Sequence, residues 1–124
     1  MKLRIRGDSI RLRLTQGDVA TLVAQGTVSQ DMRMSPEASF EYRLTADRNV
    51  AGARVSMADR VLEVRLPRAQ VEHWADSNEV GIEALQPNGN GEGLRVLVEK
   101  DFPCLTARPN EDDSDAFPWP EKKD

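Results

Sequence analysis

Apolar and polar residues alternate from Lys2 to Leu14: Leu3 and Ile5, then Ile10, Leu12 and Leu14, hold the apolar places, and arginines fill most of the places between them. A period of two is the pattern of a strand with one buried face. Gly7-Asp8 interrupts it where positive φ comes at little cost, which predicts a hairpin of about residues 2–6 and 9–14. The period then changes. Val19, Leu22 and Val23 recur at helical spacing behind Thr15, whose side-chain oxygen can accept from the first free amides, and Asp18 lies in the first turn. Gly26 stands where a left-handed residue would end this short helix. Strands at about 27–34 and 39–45 follow, with Ser35-Pro36 as the turn between them.

The same order returns 52 residues later. Leu3 and Ile5 fall on Val55 and Met57, and Ile10, Leu12 and Leu14 on Leu62, Val64 and Leu66. Thr15 falls on Pro67, which suits a helix start because its missing N–H costs nothing there. Val19, Leu22 and Val23 fall on Val71, Trp74 and Ala75, and Gly26 on Asn78, a residue tolerant of left-handed backbone. Val28 falls on Val80; the loop Gln86–Gly93 then takes two extra residues, after which Phe40, Tyr42 and Leu44 match Leu94, Val96 and Val98. Few of these matches are identities, among them Arg13/Arg65, Leu14/Leu66 and Val19/Val71, so matched patterns and matched punctuation carry the repeat.

The prediction is an α+β domain of duplicated β-β-α-β-β units with pseudo-two-fold symmetry, its strands forming a curved antiparallel sheet or open barrel with two helices. One globular domain would cover 1–104, with repeat 1 at about 2–46 and repeat 2 at about 53–101, and 105–124 would form an acidic tail rich in proline and aromatics. Leu3, Ile5, Leu12, Leu14, Val19, Leu22, Val64, Leu66, Val71, Trp74, Val80, Ile82, Val96 and Val98 lie on apolar faces and are expected to be buried.

Composition narrows the chemistry. A chain of 124 residues can bury one core without disulfides or metals, and with 39% apolar but only 5% aromatic residues that core should be aliphatic. One cysteine, Cys104, leaves no intramolecular disulfide. Charges break every apolar run of MKLRIRGDSIRLRL, so neither a secretion signal nor a membrane span is expected, and the cytoplasm is the expected location. A formal net charge of -4 argues against nucleic-acid binding.

The charge is uneven. Lys2, Arg4, Arg6, Arg11 and Arg13 oppose only Asp8 in the first hairpin, whereas the acids outnumber Arg108, Lys122 and Lys123 beyond Lys100. Phe102, Leu105, Phe117 and Trp119 concentrate apolar side chains in the tail, which is expected to dock on the domain at several anchors, with Glu111, Asp112, Asp113 and Asp115 facing the arginine-rich hairpin.

The opening KLRIRGDSIRLRLTQGDV and the later LRVLVEKDFPCLTARPNEDDSDAFPWP resemble a family of small uncharacterised bacterial proteins, over nearly the whole chain. Its pattern is a KLRIRG-SIRLRLT start, an EKDF-CL segment and an acidic stretch ending in FPNP. Here Trp119 stands in place of that asparagine. The resemblance implies boundaries and no activity.

Among candidate sites, Arg4, Arg6, Arg11 and Arg13 share the outer parity of the first hairpin, and Arg43, Arg65 and Arg95 share it on later strands, together with Glu41, Glu63, Glu83 and Glu99. Cross-strand ion pairs on a solvated sheet account for this composition; an anion site built from Arg4, Arg6, Arg11, Arg13, Arg65 and Arg95 is the functional alternative. Cys104 has only Lys100 and Arg108 nearby in sequence to activate it, and His73 lies off its helix's apolar stripe. The segment Pro87–Gly93 lacks the lysine and helix of a phosphate loop, and Glu111–Asp115 lacks the spacing of a calcium loop, so no metal or cofactor is assigned. Two functions are carried forward, with no oligomeric state assigned. The first is a non-enzymatic binding or adaptor domain for a protein partner or a small anionic ligand. The second is a small enzyme with an arginine-lined site at the junction of the repeats, drawing on Glu63, Asp101 or Cys104.

Overall fold

The computed structural model describes residues 1–103 and 114–119. Eight strands, β1 (Lys2–Ile5), β2 (Ser9–Leu14), β3 (Thr27–Ser35), β4 (Ala38–Asp47), β5 (Arg54–Ala58), β6 (Val61–Pro67), β7 (Gly81–Gln86) and β8 (Leu94–Lys100), are joined by two helices, α1 (Gln16–Gln25) and α2 (Arg68–Ala75). Neither described helix is long and apolar enough to cross a membrane.

The strands form two mixed four-stranded sheets, β1-β2-β8-β7 and β3-β4-β6-β5, which do not close into a barrel. Each sheet takes one hairpin from each half of the chain. The hairpins are antiparallel, but the central pairs β2–β8 and β4–β6 are parallel. Alternation gives a strand its buried face and says nothing about the direction of its neighbour, which is why one curved antiparallel sheet was the simplest expectation.

Register confirms the duplication residue by residue. The row Leu3, Leu12, Val98, Ile82 across the first sheet corresponds to Val55, Val64, Leu44, Val28 across the second. Val28 is therefore equivalent to Ile82, not to Val80. The two extra residues lie between α2 and β7, and Val80 takes the place of Gly26: the carbonyl of Gly26 accepts from Ala46 N and that of Val80 from Lys100 N, each at 2.9 Å.

Local sequence explains the ends of the elements. Thr15 and Asp18 form a capping box on α1, and Gly26, with φ 81°, closes it by donating to the Leu22 carbonyl. Pro67 precedes α2 without a side-chain cap, and that helix ends at Ala75, so Asn78 adopts no left-handed conformation. The first hairpin turns at Gly7, with φ 53°, while its counterpart turns at Asp59 and Arg60, both with positive φ and neither a glycine.

One aliphatic core lies between the sheets and under the helices, with Leu12, Leu14, Leu22, Leu44, Leu66, Val71 and Trp74 fully buried. Of the residues expected inside, Leu3 is only partly buried, and Ile5 and Val80 are exposed. Ile5 pairs with Ile10 at the start of β2, the end of the sheet away from the helices, and its strand is an edge. Val80 precedes β7 and belongs to the longer connection.

Candidate functional site

The outer face of the first sheet gathers cations because β1 and β2 alternate strictly and pair with each other. Arg4 lies directly opposite Arg11, a like-charge pair that a sheet does not favour for its own stability. Parallel pairing with β8 delivers Glu99, which lies 3.1 Å from Arg11 Nε and 3.3 Å from Arg13 Nε. Lys2 reaches the buried Asp101 at 3.1 Å, and Arg95 reaches Glu83 at 3.5 Å. Arg4 and Arg6 make no ion pair among the described residues. Together with Ser9 and Arg11 they line a depression of about 310 Å³. A smaller one beside it, of about 180 Å³, is lined by Lys2, Leu3, Arg4, Arg11 and Arg13.

On the second sheet Ser56, Ala58, Val61 and Glu63 stand where the first has Arg4, Arg6, Ser9 and Arg11. Its charges are balanced. Glu63 accepts from Thr45 Oγ1 at 3.0 Å and from Arg65 Nε at 2.8 Å, and Arg43 lies 3.6 Å away. Burial pushes the Glu63 carboxyl up, but these donors and cations outweigh it and hold the group below its usual range. Arg65 also reaches Asp47 at 2.7 Å, and Arg43 pairs with Glu41. The six arginines singled out from the sequence thus separate: Arg4, Arg6 and Arg11 share one depression, Arg13 is held by Glu99, Arg95 lies on β8 with Glu83, and Arg65 belongs to the other sheet.

The described part of the tail lies on the domain. Phe117 N donates to Asp101 O at 2.7 Å, Gln16 N to Asp115 O at 3.0 Å and Gly17 N to the Asp115 carboxylate at 2.9 Å. Asp115 therefore sits at the N-terminus of α1, where an anion is favoured, rather than on the arginine-rich hairpin. Phe102 stacks on Trp119 with centroids 4.7 Å apart and meets Phe117 edge-on at 6.4 Å. Cys104, Leu105, Glu111, Asp112 and Asp113 lie outside the described residues.

Lys100, named from the sequence only as a neighbour of Cys104, is 7% exposed. Its ammonium donates to Ser77 O at 2.6 Å and lies over the Trp74 and Phe117 rings, at 5.8 and 5.4 Å. Burial lowers its pKa, with Glu79 acting in the opposite sense. His73 is exposed and contacts Glu79 at 3.1 Å. In the glycine-rich loop, Asn88 and Asn90 donate to the Asp8 carboxylate at 3.2 and 2.7 Å, which ties that loop to the tip of the first hairpin. No cluster of three or more metal-ligating side chains occurs among the described residues.

A model of a family of unknown function, DUF7009, matches residues 1–121. The chain belongs to that family. No curated protein and no solved structure matches it significantly. Membership of DUF7009 brings no activity with it.

Proposed function

We propose that this protein is a non-enzymatic binding domain that recognises an anionic group through Arg4, Arg6 and Arg11. One observation carries the reading: among the described residues Arg4 and Arg6 have no carboxylate partner and line one depression with Arg11, which is paired with Glu99, whereas Ser56, Ala58 and Glu63 hold the equivalent positions on the second sheet. The fold itself does not require cations there, because Ser56, Ala58 and Glu63 serve at the equivalent positions. Guanidinium groups offer planar, paired donors that match carboxylate or phosphate oxygens, and no acceptor among the described residues takes the side-chain donors of Arg4 and Arg6.

The test is a titration of the protein with inorganic phosphate, citrate and polyglutamate at low salt, following the side-chain Nε–H signals of its arginines by NMR. Shifts at Arg4, Arg6 and Arg11 are expected; that of Arg11 should be lost in the Arg4→Gln/Arg6→Gln double variant, and all three should be kept in Arg54→Gln. If none of the three anions moved the Arg4 and Arg6 signals, the proposal would be overturned.

A further inference from the structure

The edges of the two sheets are bridged by hydrogen bonds at two seams, from the chain start before β1 to β3 and from β5 to β7, and the seams are tied differently. Arg6 N donates to Ser9 O, so the alternation of an antiparallel pair points the N–H and C=O of Arg4 and Lys2 toward β2 and those of Leu3 and Ile5 outward, to the free edge. The same reasoning turns Val55 outward on β5. There Gln86 clamps it: Val55 N donates to Gln86 Oε1 at 2.6 Å, and Gln86 Nε2 donates to Val55 O at 3.1 Å. Leu3 is the equivalent of Val55, and Met32 stands where Gln86 does. A thioether cannot make that pair of bonds. Among the described residues the β1–β3 seam is tied at Met1 alone, whose N donates to Gln30 Oε1 at 3.0 Å and whose carbonyl accepts from Tyr42 Oη at 2.9 Å. Beyond it, among the described residues, no side chain clamps the outward backbone groups of Leu3 and Ile5.

We infer that the anionic ligand is an extended acidic peptide that adds as a strand to the free edge of β1. The inference rests on the anion-binding reading and gives its partner a shape. A strand added there continues the pleat, so its side chains fall alternately on two faces. One set lies beside Lys2, Arg4 and Arg6, where carboxylates fit. The other lies beside Leu3 and Ile5 and toward Met32, where apolar side chains fit; Ile5 is 62% exposed and Met32 50% exposed. The sequence recognised is therefore one in which acidic and apolar residues alternate, and the backbone pairs with Leu3 and Ile5.

The experiment compares four probes by fluorescence anisotropy on the full chain: a short blocked peptide alternating Glu and Val, two forms of it N-methylated on every other residue in the two alternation phases, and polyglutamate of equal length. The alternating peptide is expected to bind at least about tenfold more tightly than polyglutamate and than the form N-methylated in the phase that faces β1, in keeping with the contribution of main-chain pairing in strand addition. It should also slow amide exchange at Leu3 and Ile5. Met32→Gln rebuilds the clamp found on the other seam, and it should weaken the peptide by about tenfold while leaving phosphate binding unchanged. If the alternating peptide bound no better than polyglutamate, or N-methylation in both alternation phases had no effect, strand addition would be overturned and the anion reading would stand. Absence of binding by every anion would overturn both.

Discussion

On the inner side of both sheets the same row recurs, Leu3, Leu12, Val98 and Ile82 in one and Val55, Val64, Leu44 and Val28 in the other. On the outer side Arg4, Arg6 and Arg11 of the first sheet replace Ser56, Ala58 and Glu63 of the second. Duplication makes one sheet a control for the other. What the two share, the fold demands; what they do not share, the fold can do without. The aliphatic inner rows belong to the first class and the arginine cluster to the second.

The largest expected effect tests the shared part. Leu14 and Leu66 are equivalent and fully buried, so Leu14→Ala and Leu66→Ala should each destabilise by ~2–5 kcal/mol in denaturant unfolding. Costs differing by more than that range would break the equivalence of the halves.

Next comes the asymmetry of the helix starts. Ala69 in α2 is the counterpart of Gly17 in α1, and a Cβ at Gly17 would lie 2.7 Å from the Asp115 carboxylate. Gly17→Ala should favour the helix by ~0.5–1 kcal/mol, yet it displaces a charge-assisted hydrogen bond contributing ~1.5–3 kcal/mol. A net loss of ~1 kcal/mol in thermal or urea unfolding is expected, with a change in Trp119 fluorescence as the tail lifts. A gain in stability with unchanged fluorescence would show that Asp115 does not hold the tail.

A pH experiment sharpens the contrast between Glu63 and Arg11. The folded-state pKa of Glu63 is below its ordinary value of 4.5, so its contribution is fully present above that value and is lost as pH falls through the folded pKa. Glu63→Gln should lose part of its stability at neutral pH and show a shallower decline below pH 4.5 than the parent chain, measured by urea unfolding across the acid range. Arg11→Gln should leave the shape of that acid limb nearly as it was.

The smallest effects are expected at Arg4 and Arg6. Arg4→Ala and Arg6→Ala should each change stability by less than ~0.5 kcal/mol, whereas Arg65→Ala, which removes a partner from both Glu63 and Asp47, should lower the urea midpoint more than either. A marked stability loss at Arg4 would assign that cluster to the fold and not to a ligand.

The sequence made the buried face of each strand legible because a period of two survives any choice of partner, as β2 and β6 illustrate. It could not place the two extra residues of the second half, since Val80 and Ile82 are both apolar and share one parity; only pairing with Val98 distinguishes them. Asn78 tolerates a left-handed turn but does not impose one, whereas Asp59 and Arg60 adopt positive φ with no glycine to announce it. The parity of the arginines was readable. Which of them keep free donors was not, because Glu99 reaches Arg11 and Arg13 only through a parallel pairing between strands far apart in the chain. The Gln86–Val55 clamp joins the edges of different sheets, and no local pattern encodes it.

The exchange of hairpins between halves also sets the order in which the molecule can assemble. Neither sheet can be completed from the first half alone: β2 waits for β8, with Arg13 meeting Glu99 across 86 residues of chain, and β4 waits for β6. A loop of that length must close before its contacts stabilise anything, so the rate-limiting step is expected late, and the early chain carries β2 uncovered throughout and β4 for a shorter time, since Leu44 meets Val64 20 residues on. During synthesis these are the segments most exposed to mispairing with another nascent copy. The interleaved topology also gives such mispairing a defined product, in which the first half of one chain is completed by the second half of another.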